Sequence, residues 1–235
     1  EHTLEICFVN REAAFSLFSA SAALTGSLAA DASPAAAFCV SGGGEYFAVS
    51  DDGAVRIFDA TLGELKSFSV KADRIALSDA GAPVLFYVSD GKILCRSVFG
   101  QTQAATLALN AADFAYMRIS ASAGAMYFIR DKKLFRTIIN FSNGEATASQ
   151  ETAVDASFSD KATRVRVPTD ENGDSVLVVQ GQSGLYVNGA RLRLSGLTDA
   201  VFEDGVLKLL LEENGLASVA YVDGASLRLT EKQKV

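Results

Sequence analysis

Few residues in this chain carry the side chains that covalent or acid–base chemistry needs. It has one histidine, His2. A Ser-His-Asp or Cys-His arrangement requires an imidazole beside its nucleophile, and a histidine next to the chain start is poorly placed for that. The cysteines are Cys7, Cys39 and Cys95. They are too far apart to give a zinc ligand pair, and an odd, scattered set is a poor disulfide framework. Each lies in an apolar run and reads as a buried structural thiol, which points mildly to a reducing, cytoplasmic compartment. Asp51, Asp52 and Asp59 lie close together. They could form a divalent-cation site or an acid/base pair. The favoured reading is that Asp52 shapes a hairpin turn with Gly53 while Asp59 anchors the next turn.

Three further clusters bear on binding. Asp170-Glu171-Asn172-Gly173-Asp174 places oxygen ligands at alternate positions, as calcium loops do. It has Ser175 where such loops need glycine and Gly181 where they need a bidentate glutamate, so it reads as a solvated loop. Gly42-Gly43-Gly44 has no Gly-Lys-Ser/Thr after it and reads as a turn, not a phosphate loop. Arg164 with Arg166, and Arg191 with Arg193, have strand-like spacing, which puts each pair on one strand face. Together with Asp170 and Glu171 they are the candidate partner-binding residues, suited to an acidic peptide. The competing reading is a solvated outer strand face. No catalytic residue, cofactor or metal site is expected.

The whole-chain numbers narrow the partners. The 235 residues carry a net charge of -7 at pH 7, with a pI near 4.8. Nucleic acid is disfavoured, because phosphate binding needs clustered Lys and Arg. Protein partners fit better. No uncharged apolar stretch is long enough to span a membrane, since Ser and Thr interrupt the uncharged run from Ala13 to Ala30. That run also lacks the basic flank of a signal peptide. The single sequon, Asn140-Phe141-Ser142, is expected by chance. The chain begins with Glu1, which leaves room for an earlier segment.

The elements that would position these residues come from an internal repeat. Phe38 to Ser41, Tyr46 to Ser50, Ala54 to Asp59 and Leu65 to Val70 are four short β-type runs joined by turn residues. The pattern recurs with opening strands at Ile75–Ser78, Met117–Ser120, Ala156–Ser159 and Val201–Asp204. The opening strands end at spacings of 37, 42, 39 and 45 residues, and the fourth copy carries a polar insertion from Pro168 to Asp174. Leu4–Val9, Ala14–Ser19 and Leu24–Ala29 add three more strands. A period near forty with four strands per unit predicts an all-β fold, a β-propeller of four-stranded blades in a single domain over 1–235. Six blades is the simplest count, and seven applies if the chain is part of something longer. A sandwich or jelly roll would use similar strands without a shared period.

Tyr46 to Asp59, YFAVSDDGAVRIFD, resembles the core of a WD40 repeat. In that family one strand ends at an Asp-Gly type turn and the next ends in Trp-Asp. Here the turn is Asp52-Gly53 and the ending is Phe58-Asp59, followed by Gly63-Glu64. The chain departs from the family in having no Trp and no internal His, so the family's Asp-His-Ser-Trp network is absent. The resemblance implies a rigid, non-catalytic platform for protein–protein contacts within a multi-protein assembly. Two alternatives stay open: an RNA-contacting propeller of a translation complex, and a propeller enzyme or ligand-binding protein with a central polar site.

Overall fold

The computed structural model describes residues 2–9, 12–19, 24–31, 37–41, 45–50, 53–78, 83–100, 104–142, 145–154, 161–170 and 172–234. Among them there is no helix, and the strands form six antiparallel sheets. The first sheet is β1 (His2–Val9), β2 (Glu12–Ser19) and β3 (Leu24–Asp31), in that order. The second is β4 (Ala37–Val40), β5 (Tyr46–Ser50), β6 (Val55–Asp59) and β7 (Glu64–Phe68). The third is β8 (Ile75–Ser78), β9 (Val84–Ser89), β10 (Lys92–Ser97) and β11 (Ala105–Leu109). In the fourth, β12 (Ala111–Ser120), β13 (Ala123–Arg130), β14 (Lys133–Ser142) and β15 (Glu145–Ala148) run in order, and β16 (Thr152–Ala153) also pairs with β14. The fifth is β17 (Arg164–Arg166), β18 (Val178–Gln180), β19 (Leu185–Val187) and β20 (Ala190–Leu192). The sixth is β21 (Leu197–Glu203), β22 (Val206–Glu213), β23 (Leu216–Asp223) and β24 (Leu229–Lys234).

Apart from β16, the strands of each sheet pair in sequence order. The turns use the residues that tolerate a left-handed backbone. Asp90 and Gly91, Asp204 and Gly205, and Asn214 and Gly215 all have positive φ, as two-residue hairpin turns of the primed type require.

The chain forms two compact units. The first comprises Glu1–Ala108 with Phe141–Thr147, the second Leu109–Asn140 with Ala148–Val235. In the first unit, Ala48, Val55 and Ile57 of the second sheet pack with Ile75, Leu77, Leu85 and Tyr87 of the third. In the second unit, Ala115, Ile129 and Leu134 of the fourth sheet pack against Val165 and Val179 of the fifth. The other face of the fifth sheet, through Val178, Leu185 and Val187, meets Leu207, Leu209, Leu211, Ala220 and Val222 of the sixth. A short sheet cannot bury its apolar residues alone, and stacking on neighbours buries them face to face. This explains why Val84 to Tyr87 of β9 are buried without alternation: a strand covered on both sides reads as a continuous apolar run.

The opening strands of three sheets need comment against the sequence expectation. The strand expected at Ala156–Ser159 falls outside the described residues, and the first described strand of the fifth sheet is β17. The opening strands of the fourth and sixth sheets start earlier than expected, at Ala111 and Leu197. In both, a register shift near the start absorbs one residue, between Ala111 and Asp113 and between Leu197 and Asp199. Such a bulge lets a strand continue where strict alternation fails.

Candidate functional site

The turn aspartates behave as turn chemistry dictates. Asp59 Oδ1 accepts hydrogen bonds from the Thr61 amide at 2.8 Å, the Thr61 hydroxyl at 2.7 Å and the Gly63 amide at 2.9 Å. Those bonds, led by the Thr61 hydroxyl, hold its carboxyl below the usual carboxylate range. Asp223 occupies the matching place at the end of β23. It accepts from the Ser226 amide at 2.6 Å and hydroxyl at 2.5 Å, and its pKa is likewise lowered, mainly by the Ser226 hydroxyl. Asp59 is therefore occupied by its own turn. Asp52 and Gly42–Gly44 lie outside the described residues.

The four candidate arginines are not brought together. Arg166 is buried at 7% exposure. Its Nη1 donates to Asp113 Oδ2 at 2.8 Å and to the Val165 carbonyl at 2.7 Å. Its Nη2 donates to the Thr198 carbonyl at 2.7 Å, and its Nε to the same carbonyl at 3.2 Å. Asp113 Oδ2 also accepts the Val165 amide at 2.9 Å. Arg166 is thus a pin joining β12, β17 and β21, the opening strands of three sheets, and not a partner-facing side chain. A buried arginine persists only with such a carboxylate and a full set of acceptors. Arg164 does lie on the same strand, is exposed, and donates from Nη1 to the Leu197 carbonyl at 2.6 Å. Arg191 donates to the Ser183 carbonyl at 2.7 Å, and Arg193 is exposed. β17 and β20 are the two edges of the fifth sheet, so two intervening strands separate the arginine pairs by roughly 14 Å at the usual strand spacing.

The loop after β17 closes on itself. Asp170 Oδ1 accepts the amides of Asn172 at 3.0 Å and Asp174 at 2.8 Å. The hydroxyls of Thr169 and Ser175 meet at 2.8 Å. Asp170 therefore serves as a turn former, and Glu171 lies outside the described residues. The described residues hold no group of three or more His, Cys, Asp or Glu side chains that could bind a metal. Burial pushes the Cys39 thiol up to about 12 and the Cys95 thiol up to about 11, which keeps both neutral and poorly nucleophilic at physiological pH.

Asp113 is the buried partner of Arg166 that sequence reading missed. It stands 53 positions from Arg166, and nothing local to either residue marks the pairing.

No family model matches the chain, and no curated protein matches it. Solved structures do. The chain aligns with AztD of Citrobacter koseri at 10% identity and TM-score 0.58, over 99% of this chain and 72% of that one. It aligns with the Pan2 WD40 domain of Neurospora crassa at 12% identity and TM-score 0.55, over 97% and 76%. With the WD40 domain of SCAP from fission yeast the identity is 11% and the TM-score 0.51, over 100% and 75%.

The fold is a WD40-like β-propeller.

The Phe58-Asp59 pair ends β6, the third strand of its sheet. Phe58 is buried and stacks on Phe47 of the neighbouring strand, with ring centroids 5.0 Å apart. Asp59 fixes the turn beyond it. Among the described residues, Asp59, Asp170 and Asp223 are engaged in turns and Arg166 in an ion pair.

One exposed face stands out within the second unit. The sixth sheet buries Leu207, Leu209, Leu211, Ala220 and Val222 on one side. On its other side Val201 is 54% and Leu210 36% exposed. The register sets Asp199, Leu210, Val219 and Gln233 in one row and Val201, Lys208, Tyr221 and Glu231 in the next.

Proposed function

We propose that this chain is a non-catalytic interaction scaffold, a WD40-like propeller subunit of a multi-protein assembly. The observation that carries the reading is the shared fold with the WD40 domains of Pan2 and SCAP. A fold by itself leaves function open, so the residues must also agree, and they favour a scaffold. The chain's one histidine is His2. The described thiols are held neutral, and Arg166 is committed to Asp113. Rigid stacked sheets with loops at their ends are suited to presenting contact residues with little ordering cost.

The test is to cross-link the tagged full chain in its native cells, purify it under denaturing conditions and quantify the attached proteins by mass spectrometry. A small set of proteins in stoichiometric amounts is the expected result. Recovery of the chain alone, with saturable binding of a small molecule in a parallel metabolite screen, overturns the scaffold in favour of a ligand-binding propeller.

A further inference from the structure

We infer that β24 is a detachable edge strand, held to the sixth sheet almost by its backbone alone, and that its opening turns β23 into a free sheet edge. The inference does not depend on the scaffold reading.

Burial sets β24 apart. The last strands of three other sheets are each tied down by an apolar side chain. Phe68 of β7 and Ala108 of β11 are buried, and Leu192 of β20 packs against a core cluster. β24 places all six of its residues, Leu229–Lys234, in solvent. Leu229, its one apolar side chain, is 46% exposed. Such a strand loses its conformational freedom on pairing and gains little from apolar burial in return.

The side-chain ties of β24 to the rest of the sheet are surface contacts. The Thr230 hydroxyl donates to the Tyr221 carbonyl at 3.0 Å. Lys232 Nζ lies 3.2 Å from Glu213 Oε2, with both side chains well exposed, and an ion pair in that setting contributes little. The ladder between β23 and β24 is also broken by a register shift between Tyr221 and Val222.

The opening has a natural limit. Leu227, in the turn before β24, packs against the core cluster of the fifth and sixth sheets, and its amide donates to the Asp223 carbonyl at 2.8 Å. β23 itself buries Ser218, Ala220 and Val222. Peeling therefore stops at Leu227 and leaves β21, β22 and β23 in place. While β24 is away, β23 presents a row of unpaired N–H and C=O groups, a template on which an extended segment can add.

The test is native-state hydrogen exchange on the full chain, resolved by residue with NMR. In an antiparallel sheet alternate residues of a middle strand bond to opposite neighbours, so β23 reports on both sides of itself. The β23 amides bonded to β24, and the β24 amides bonded to β23, are expected to exchange about 100-fold faster than the β23 amides bonded to β22. The fast set is expected to keep its rate in low, sub-denaturing urea, as a local opening does, while the slow set accelerates. Uniform protection along β23 overturns the proposal. So does a fast set whose urea dependence matches that of Leu207, Leu209 and Leu211 in β22, because the strand would then leave only when the whole sheet unfolds.

Discussion

Arg166 and Asp113 form the most deeply buried ion pair among the described residues of the second unit. The pair is almost wholly removed from water, with side-chain exposures of 9% and 11%. Removing Asp113 leaves the buried Arg166 with only the exposed Asp199, 3.3 Å from its Nε, as a counter-charge. Asp113→Ala is expected to cost about 3–5 kcal/mol in urea unfolding. Replacing both partners with apolar residues, Asp113→Leu with Arg166→Met, is expected to recover part of that loss, since the penalty comes from the orphaned charge more than from the missing attraction. The thiols give a second expectation at this scale. Cys39 and Cys95 have folded pKa values of about 12 and about 11, raised by burial from the ordinary 9.0. The folded state therefore holds their protons more tightly than the unfolded state. The stability this gives is fully present below pH 9 and is lost as pH rises from about 9 towards about 12. Urea titrations at stepped alkaline pH should show that decline, and it should be shallower in Cys39→Ala with Cys95→Ala.

At the scale of strands and turns, much of the architecture was legible because the local rules agree with the tertiary result. Asp90-Gly91 and the alternation around it mark a hairpin, and the two-residue turn joins β9 to β10 as expected. Asp59 was readable as a turn anchor because its partners lie within four residues. Arg164 and Arg166 were misleading for the opposite reason. Their alternation suggests a solvated face, yet β17 packs between two other opening strands, and the carboxylate that permits this is 53 positions away. The bulge at the start of β21 shows how such a strand is fitted. Gly196 has φ +77°, and a Cβ added there would come within 2.1 Å of the Glu212 carbonyl oxygen. The Glu212 amide in turn donates to the Gly196 carbonyl at 2.8 Å. Gly196→Ala forces both a strained φ and a backbone shift. A loss of about 2 kcal/mol or more is expected by thermal unfolding, whereas Gly215→Ala, with open space around it, bears only the strain of its φ and should cost less.

For the whole molecule, the excess of seven negative charges sets the long-range field. An RNA-contacting role needs a basic surface large enough to release counter-ions. At physiological salt the chain is expected to show no saturable binding to single- or double-stranded RNA in filter or anisotropy assays. Micromolar binding with a steep salt dependence would instead restore the translation-complex reading. A different consequence of the architecture concerns the turn between β17 and β18. Its flanks are already held together by the contact of Thr169 with Ser175 and by the two amides bonded to Asp170. Foreign sequence grafted between Asn172 and Gly173 would start and finish at points the protein itself fixes, so lengthening that loop adds little closure entropy. An affinity tag or fluorescent reporter could ride there and leave both chain ends free.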